Sequence, residues 1–175
     1  MLPLRKFTII MNFLETIQTH PIFPFIIQAA QELDLQTYAI GGYVRDLLLN
    51  RPCKDIDIVC IGSGIELAEK VAEKVNKVGE VITFKNFGTA MLKIGDYDVE
   101  FVGARKESYR LESRKPSVEN GTLEDDQNRR DFTINALAIS LNRKDLGELL
   151  DPFDGILHLK KKTLITPLNP DIMFS

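Results

Sequence analysis

The tightest constraint on this chain is the stretch Asp55-Ile56-Asp57-Ile58-Val59-Cys60-Ile61, where two carboxylates open an apolar run of strand length. Side chains alternate between the faces of a β-strand, so a strand over about residues 56–61 turns Asp55 and Asp57 toward the same side. Two acids held that close repel each other. A divalent cation relieves the repulsion, and hard oxygen ligands of this kind suit magnesium or manganese better than zinc. An isolated Asp-x-Asp is more often a pair of solvated acids at a strand end, so the surroundings decide.

Upstream, a short apolar strand at residues 37–40 meets Gly41-Gly42 and passes into a helix over 43–49, with Val44, Leu47 and Leu48 toward the core. A Gly-Gly turn at a helix start offers backbone N–H groups and a partial positive field, which suits a triphosphate. Arg45 adds a bidentate grip on phosphate oxygens. The alternative is an ordinary turn with Arg45 and Asp46 as surface charge.

Downstream, Gly62-Ser63-Gly64 leads into a helix in which Leu67, Ala68, Val71, Ala72, Val75 and Val78 recur at helical spacing, with Gly79 at its stop. Strand-like runs follow at 80–84, 89–94 and 97–102, and Gly95-Asp96 joins the last two as a hairpin. Asp98 and Glu100 share one face of the final run. Glu100, deeper in the strand, is the expected third carboxylate. Two helices near residues 10–19 and 24–34, broken by Pro21 and Pro24, pack rather than catalyse. The pattern gives an α/β (α+β) domain, a mixed sheet backed by helices on one side.

Residues 103–128 are polar and poor in periodicity, which predicts a long mobile loop. Order returns at Arg129-Arg130-Asp131-Phe132-Thr133-Ile134-Asn135-Ala136, with a turn of helix over 132–136 and a strand over 137–141. Such a cluster can hold phosphates through Arg129 and Arg130 and a sugar hydroxyl through Asp131; alternatively Asp131 caps the helical turn.

A chain of 175 residues, 44% hydrophobic and 27% charged, can bury a core without disulfides. Cys53 and Cys60 are expected as free thiols, with no zinc site. The longest apolar stretches, such as 22–30, are too short for a membrane span and the start lacks a secretory layout, so a cytoplasmic protein with no membrane partner is expected. A net charge of −3 excludes bulk coating of nucleic acid. Any such contact would come from local patches, either Arg105, Lys106, Arg110, Arg114 and Lys115, or Lys160, Lys161 and Lys162.

Taken together, Gly41-Gly42-Tyr43-Val44-Arg45-Asp46, Asp55-Ile56-Asp57 and the segment from Arg129 to Ala136 resemble the signature of the bacterial and eukaryotic class of tRNA nucleotidyltransferases and bacterial poly(A) polymerases. The resemblance runs from about Tyr38 to the carboxyl end. It implies the nucleotidyltransferase head fold shared with DNA polymerase beta, with Asp55 and Asp57 as ligands of two catalytic Mg2+ ions, for which Mn2+ can substitute. Glu100 matches the acid before the family's arginine, here Arg105. Val102-Gly103-Ala104 departs from the threonine-rich stretch usual at that point and leaves Arg105 less firmly assigned. Gly41, Gly42 and Arg45 would surround the phosphates, while Asp131, with Arg129, Arg130 and Asn135, would hold the nucleotide and its ribose.

The implied activity is addition of C and A from CTP and ATP to the 3′ end of tRNA, with release of pyrophosphate. Poly(A) or partial-CCA addition would use the same head motifs, and a non-catalytic nucleotide-binding module is disfavoured by the intact acid pair. The expected layout is an N-terminal helical extension over 1–36, the head over 37–158, and over 159–175 the start of a connection to a helical body. Residues 166–175 resemble the lead-in to the family's next motif, so the helix that selects C or A is expected beyond Ser175.

Overall fold

The computed structural model describes residues 11–108 and 117–168. Its frame is a seven-stranded sheet in the order β3-β4-β5-β2-β1-β8-β9. The strands are β1 (Thr37–Ile40), β2 (Asp55–Cys60), β3 (Ile82–Phe84), β4 (Thr89–Ile94), β5 (Tyr97–Gly103), β8 (Ala138–Ser140) and β9 (Leu149–Leu150). Strands β2 and β5 pair in parallel, and every other neighbouring pair in this sheet is antiparallel. A parallel pair needs a crossover connection. Helix α4 (Gly64–Lys74) supplies it, burying Leu67, Ala68, Val71 and Ala72.

Strand alternation sorts the sheet's residues. Ile56, Ile58, Val99 and Phe101 face α4 together with Phe23, Ile26 and Ala29 of α2 (Phe23–Glu32) and Val44 of α3 (Gly42–Leu48). Helix α1 (Leu14–Thr19) adds Ile17 to this core, so the amino-terminal helices share the sheet's main core. The opposite face carries a smaller apolar cluster of Tyr38, Ile40, Val59, Ala104 and Ala138, against which Ile61, Leu123 and Leu150 pack. The mixed sheet backed by helices on one side is the architecture observed. Among the described residues no helix is long and apolar enough to cross a membrane.

Two expectations need correction. Helix α4 stops at Lys74, not near Gly79: Asn76 adopts a left-handed conformation (φ 56°), and the Lys77 N–H bonds back to the Ala72 carbonyl at 2.8 Å. A left-handed asparagine ends the helix as a glycine would, and Val78 falls outside it, exposed. The stretch 103–128 is not one structureless loop. Strand β6 (Arg105–Ser108) pairs with β7 (Ser117–Asn120), and α5 (Leu123–Asn128) follows with a capping box between Thr122 and Asp125. Residues 109–116, with Arg110, Arg114 and Lys115, lie outside the described residues.

Candidate active site

The parallel register of β2 and β5 sets Asp55 beside Asp98 and Asp57 beside Glu100, all on the face opposite α4. The two pairs differ. Asp98 is in an ion pair with Lys93 at 3.4 Å, and Asp55 is exposed at the strand's start. Asp57 and Glu100, one step further in, line a cavity of about 260 Å³ whose far wall is Arg129, Arg130, Asp131 and Asn135. Burial pushes the Asp57 carboxyl up from the ordinary carboxylate range, partly countered by Arg130. Burial, then the neighbouring Asp57, does the same to Glu100.

Across the sheet, Ile40 of β1 pairs with Asp57, which brings the following Gly41 against the same carboxylate. Gly41 has φ 80° and ψ −138°, and a Cβ there would stand 3.0 Å from Asp57 Oδ2 and 3.1 Å from Arg130 Nη1. Only a glycine leaves that room. Gly42 begins α3 without such crowding.

Arg130 is aimed at Asp57, with Nη1 4.0 Å from Oδ2. What holds it there is Asp126, which lies fully buried on α5 and was not singled out from the sequence. Arg130 donates from Nε and Nη2 to Asp126 Oδ2 at 3.2 and 3.0 Å, and Arg129 donates from Nε and Nη2 to Oδ1 of the same carboxylate. Gln127 completes the anchorage by donating Nε2 to the Ala136 carbonyl at 2.7 Å. The signal was present: Thr122-Leu123-Glu124-Asp125 is a capping-box pattern, and it places Asp126 three and four residues before the two arginines.

Arg45 does not line this cavity. Its guanidinium grips Asp46 through Nε and Nη2 at 2.9 and 3.2 Å and donates from Nη1 to Asn135 Oδ1 at 3.0 Å. It therefore ties α3 to the short 3-10 turn Thr133–Asn135 and orients Asn135. Asp131 is exposed at the cavity wall and makes no hydrogen bond among the described residues. The N-cap of the 3-10 turn is Phe132, so the capping alternative for Asp131 is not what is observed. Arg105 donates Nη2 to Thr89 Oγ1 at 3.1 Å and borders the adjoining cavity over β4. Lys160, Lys161 and Lys162 stand exposed at the end of α6 (Gly155–Lys161), away from the acids in sequence and absent from the cavity lining. Both cysteines are free, and burial pushes the thiol of Cys60, the last residue of β2, up to about 12.

Among the described residues no three acidic, histidine or cysteine side chains converge closely enough to enclose a cation by themselves. The residues present still fit a magnesium-like ion, which is commonly held by one or two carboxylates with phosphate oxygens and water completing the shell. Asp55 and Asp57 would be those ligands, with Glu100 closing the acidic row.

Residues 37–165 match the family described as the poly A polymerase head domain. The chain belongs to that family. Among curated relatives, an A-adding tRNA nucleotidyltransferase of Aquifex aeolicus is 47% identical over 132 residues, covering 74% of this chain and 16% of the relative. A CCA-adding enzyme of Lactobacillus delbrueckii is 36% identical, over 79% of this chain and 33% of its own length. A tRNA nucleotidyltransferase solved with a primer tRNA and an incoming ATP analog superposes with a TM-score of 0.71 at 42% identity, covering 82% of this chain and 39% of that one. A CCA-adding enzyme solved with ATP gives a TM-score of 0.72 at 34% identity, over 90% and 37%. The head domain described here thus spans about a sixth to two fifths of the proteins it matches.

Proposed function

We propose that this head domain transfers a nucleoside monophosphate from CTP or ATP to the 3′ end of tRNA, releasing pyrophosphate. The observation that carries the reading is the placement of Asp57 beside Glu100 under a cavity whose opposite wall is cationic. In the reaction, the RNA 3′-hydroxyl oxygen forms a bond to the α-phosphorus, the bond from that phosphorus to the bridging oxygen of pyrophosphate breaks, and the hydroxyl proton passes to water. Bound at Asp55 and Asp57 as a two-ion site, Mg2+, or Mn2+ in its place, would supply Lewis-acid stabilisation of the hydroxyl and the triphosphate.

The chain's own residues supply position and charge. Arg129 and Arg130, fixed by Asp126, face the phosphates and balance the charge that develops on them. Asp131, exposed at the wall, accepts from a ribose hydroxyl. Arg45 acts through Asn135, and the Gly41 backbone keeps the carboxylate approachable. The activity fits a cytoplasmic tRNA-maturation enzyme.

A second reading, addition of A alone, is favoured by the names of the Aquifex aeolicus and Geobacter sulfurreducens relatives, both A-adding. Incubating the full-length protein with labelled CTP or ATP and tRNA ending before CCA, or ending in CC, separates the readings. Incorporation of both nucleotides supports CCA addition, ATP on the CC end alone supports A addition, and no incorporation on either RNA rejects the activity.

A further inference from the structure

The face of the sheet opposite α4 continues past Glu100 in a direction the nucleotide cavity does not use. Register runs one row of residues across four strands, from Asp57 to Glu100, Met91 and Ile82, and a second row from Val102 through Thr89 to Phe84. Residues directly opposite one another share a face, so Met91, Ile82 and Phe84 stand on the same side as the acids. Phe87, in the 3-10 turn Lys85–Phe87, joins them. All four are exposed, Ile82 by 61%, Phe84 by 43%, Phe87 by 63% and Met91 by 37%.

Exposed apolar side chains scattered singly mean little, but Phe84, Phe87 and Met91 gather at one edge around a cavity of about 430 Å³. Glu100, Val102 and Arg129 line both this cavity and the nucleotide cavity, so the two are continuous over β5. Arg105 and Arg129 stand on its rim.

In-line transfer needs the attacking hydroxyl on the side of the phosphorus away from the leaving group. If the triphosphate lies over β1 and β2 against Arg130 and Asn135, the acceptor approaches across β5 from β4 and β3. Every nucleobase has a π-face, and a single strand of RNA is held by aromatic platforms bordered by cations. We propose that Phe84, Phe87 and Met91 form the platform for the single-stranded 3′ end of the acceptor RNA, its terminal bases stacking on the phenyl rings and its phosphates meeting Arg105. This rests on the nucleotidyl-transfer reading of the same site. Glu100 then marks the border between the two substrates.

The test is the Michaelis constant for acceptor tRNA and for nucleotide, measured separately on the full-length protein carrying Phe87→Ala, Phe84→Ala, Phe87→Leu or Phe87→Trp. Because Phe87 is mostly exposed, its truncation spares the fold, and a melting curve checks this. The expected result is a rise of about tenfold in acceptor KM for Phe87→Ala, equal to about 1.4 kcal/mol, with nucleotide KM within about twofold. Phe87→Trp should restore binding and Phe87→Leu should not. An acceptor KM unchanged in both alanine variants overturns the proposal, as does full rescue by leucine, which would mark the patch as a packing surface for further polypeptide. If the parent protein incorporates no nucleotide, the transfer reading fails on its own. Fluorescence anisotropy of a labelled RNA with a single-stranded 3′ end still reads the platform, and equal affinity of parent and Phe87→Ala then overturns it.

Discussion

Replacing Gly41 by alanine tests whether the turn between β1 and α3 is shaped by the site it borders. The position has φ 80° and ψ −138°, a region that side-chain-bearing L-residues avoid, and enforcing it costs about 1–3 kcal/mol. The new methyl also meets Asp57 Oδ2 at 3.0 Å and Arg130 Nη1 at 3.1 Å, so both groups must retreat by a few tenths of an ångström. A chain of this size loses roughly 2–4 °C in Tm per kcal/mol. Displacing a reacting group by about 1 Å costs on the order of a hundredfold in rate, so the smaller retreat here predicts about a tenfold loss of turnover at saturating nucleotide. Gly42→Ala is the internal control. Its Cβ would find only Arg45 Nη2, at an ordinary 3.6 Å, and the residue lies at a helix start, so stability should hold or improve. Urea denaturation and single-turnover incorporation, run on both variants, decide the matter. If Gly41→Ala matches Gly42→Ala in both, within about 0.5 kcal/mol and twofold, the glycine is not there for the carboxylate.

Asp55→Ala or Asp57→Ala in the full-length protein should lower turnover in magnesium by several orders of magnitude with an unchanged melting profile, and activity within about tenfold of the parent would remove them from the metal site. Asp126→Asn keeps the shape of a buried side chain but removes the charge that both arginines share. Because those arginines reach water, the cost should be near 2 kcal/mol, seen in denaturant titration, alongside a raised nucleotide KM. The isolated chain should bind CTP and ATP with affinities within about tenfold of each other, or roughly 1.4 kcal/mol, because Arg129, Arg130, Asp131 and Asn135 address groups common to all ribonucleotides; calorimetric titration in magnesium checks it. His20 packs against Phe23, Tyr43 and Tyr97 and accepts the Ile22 N–H on Nδ1, and burial lowers its pKa below the usual value near 6.5. The unfolded chain then takes the proton first, so this stability is full above about pH 6.5 and is lost as the pH falls through the lowered folded value, a dependence that His20→Phe should flatten in melts from pH 8 to 5.

Most of the sheet was readable because its signal is local. Strand β1 and the pair β4–β5 follow from alternation and one two-residue turn, and the shared face of Asp55 and Asp57 is a property of any strand. What the sequence could not supply was register. Depth in the strand favours Glu100 over Asp98, but the register that sets Glu100 beside Asp57 is made by a parallel pairing across a crossover of α4, β3 and β4. The expected helix end at Gly79 failed for a different reason, since asparagine can take the left-handed position that glycine usually occupies.

The stretch around α5 was misread because periodicity looks for apolar burial, and this helix buries Asp126 and Gln127 instead. Those two side chains are spent on Arg129, Arg130 and the Ala136 carbonyl, so the helix exists to hold the cationic wall more than to fill a core. The same logic explains Arg45. Read as a phosphate ligand from its distance to the glycine turn, it is taken up by Asp46 and by Asn135, which is 90 residues away in sequence. A guanidinium already bound on two sides serves better to fix a neighbour than to receive a substrate. The acids, set by strand alternation, were therefore legible, while the groups opposite them are positioned by polar contacts that apolar periodicity does not reveal, local ones from Asp126 to Arg129 and Arg130 and a long-range one from Arg45 to Asn135.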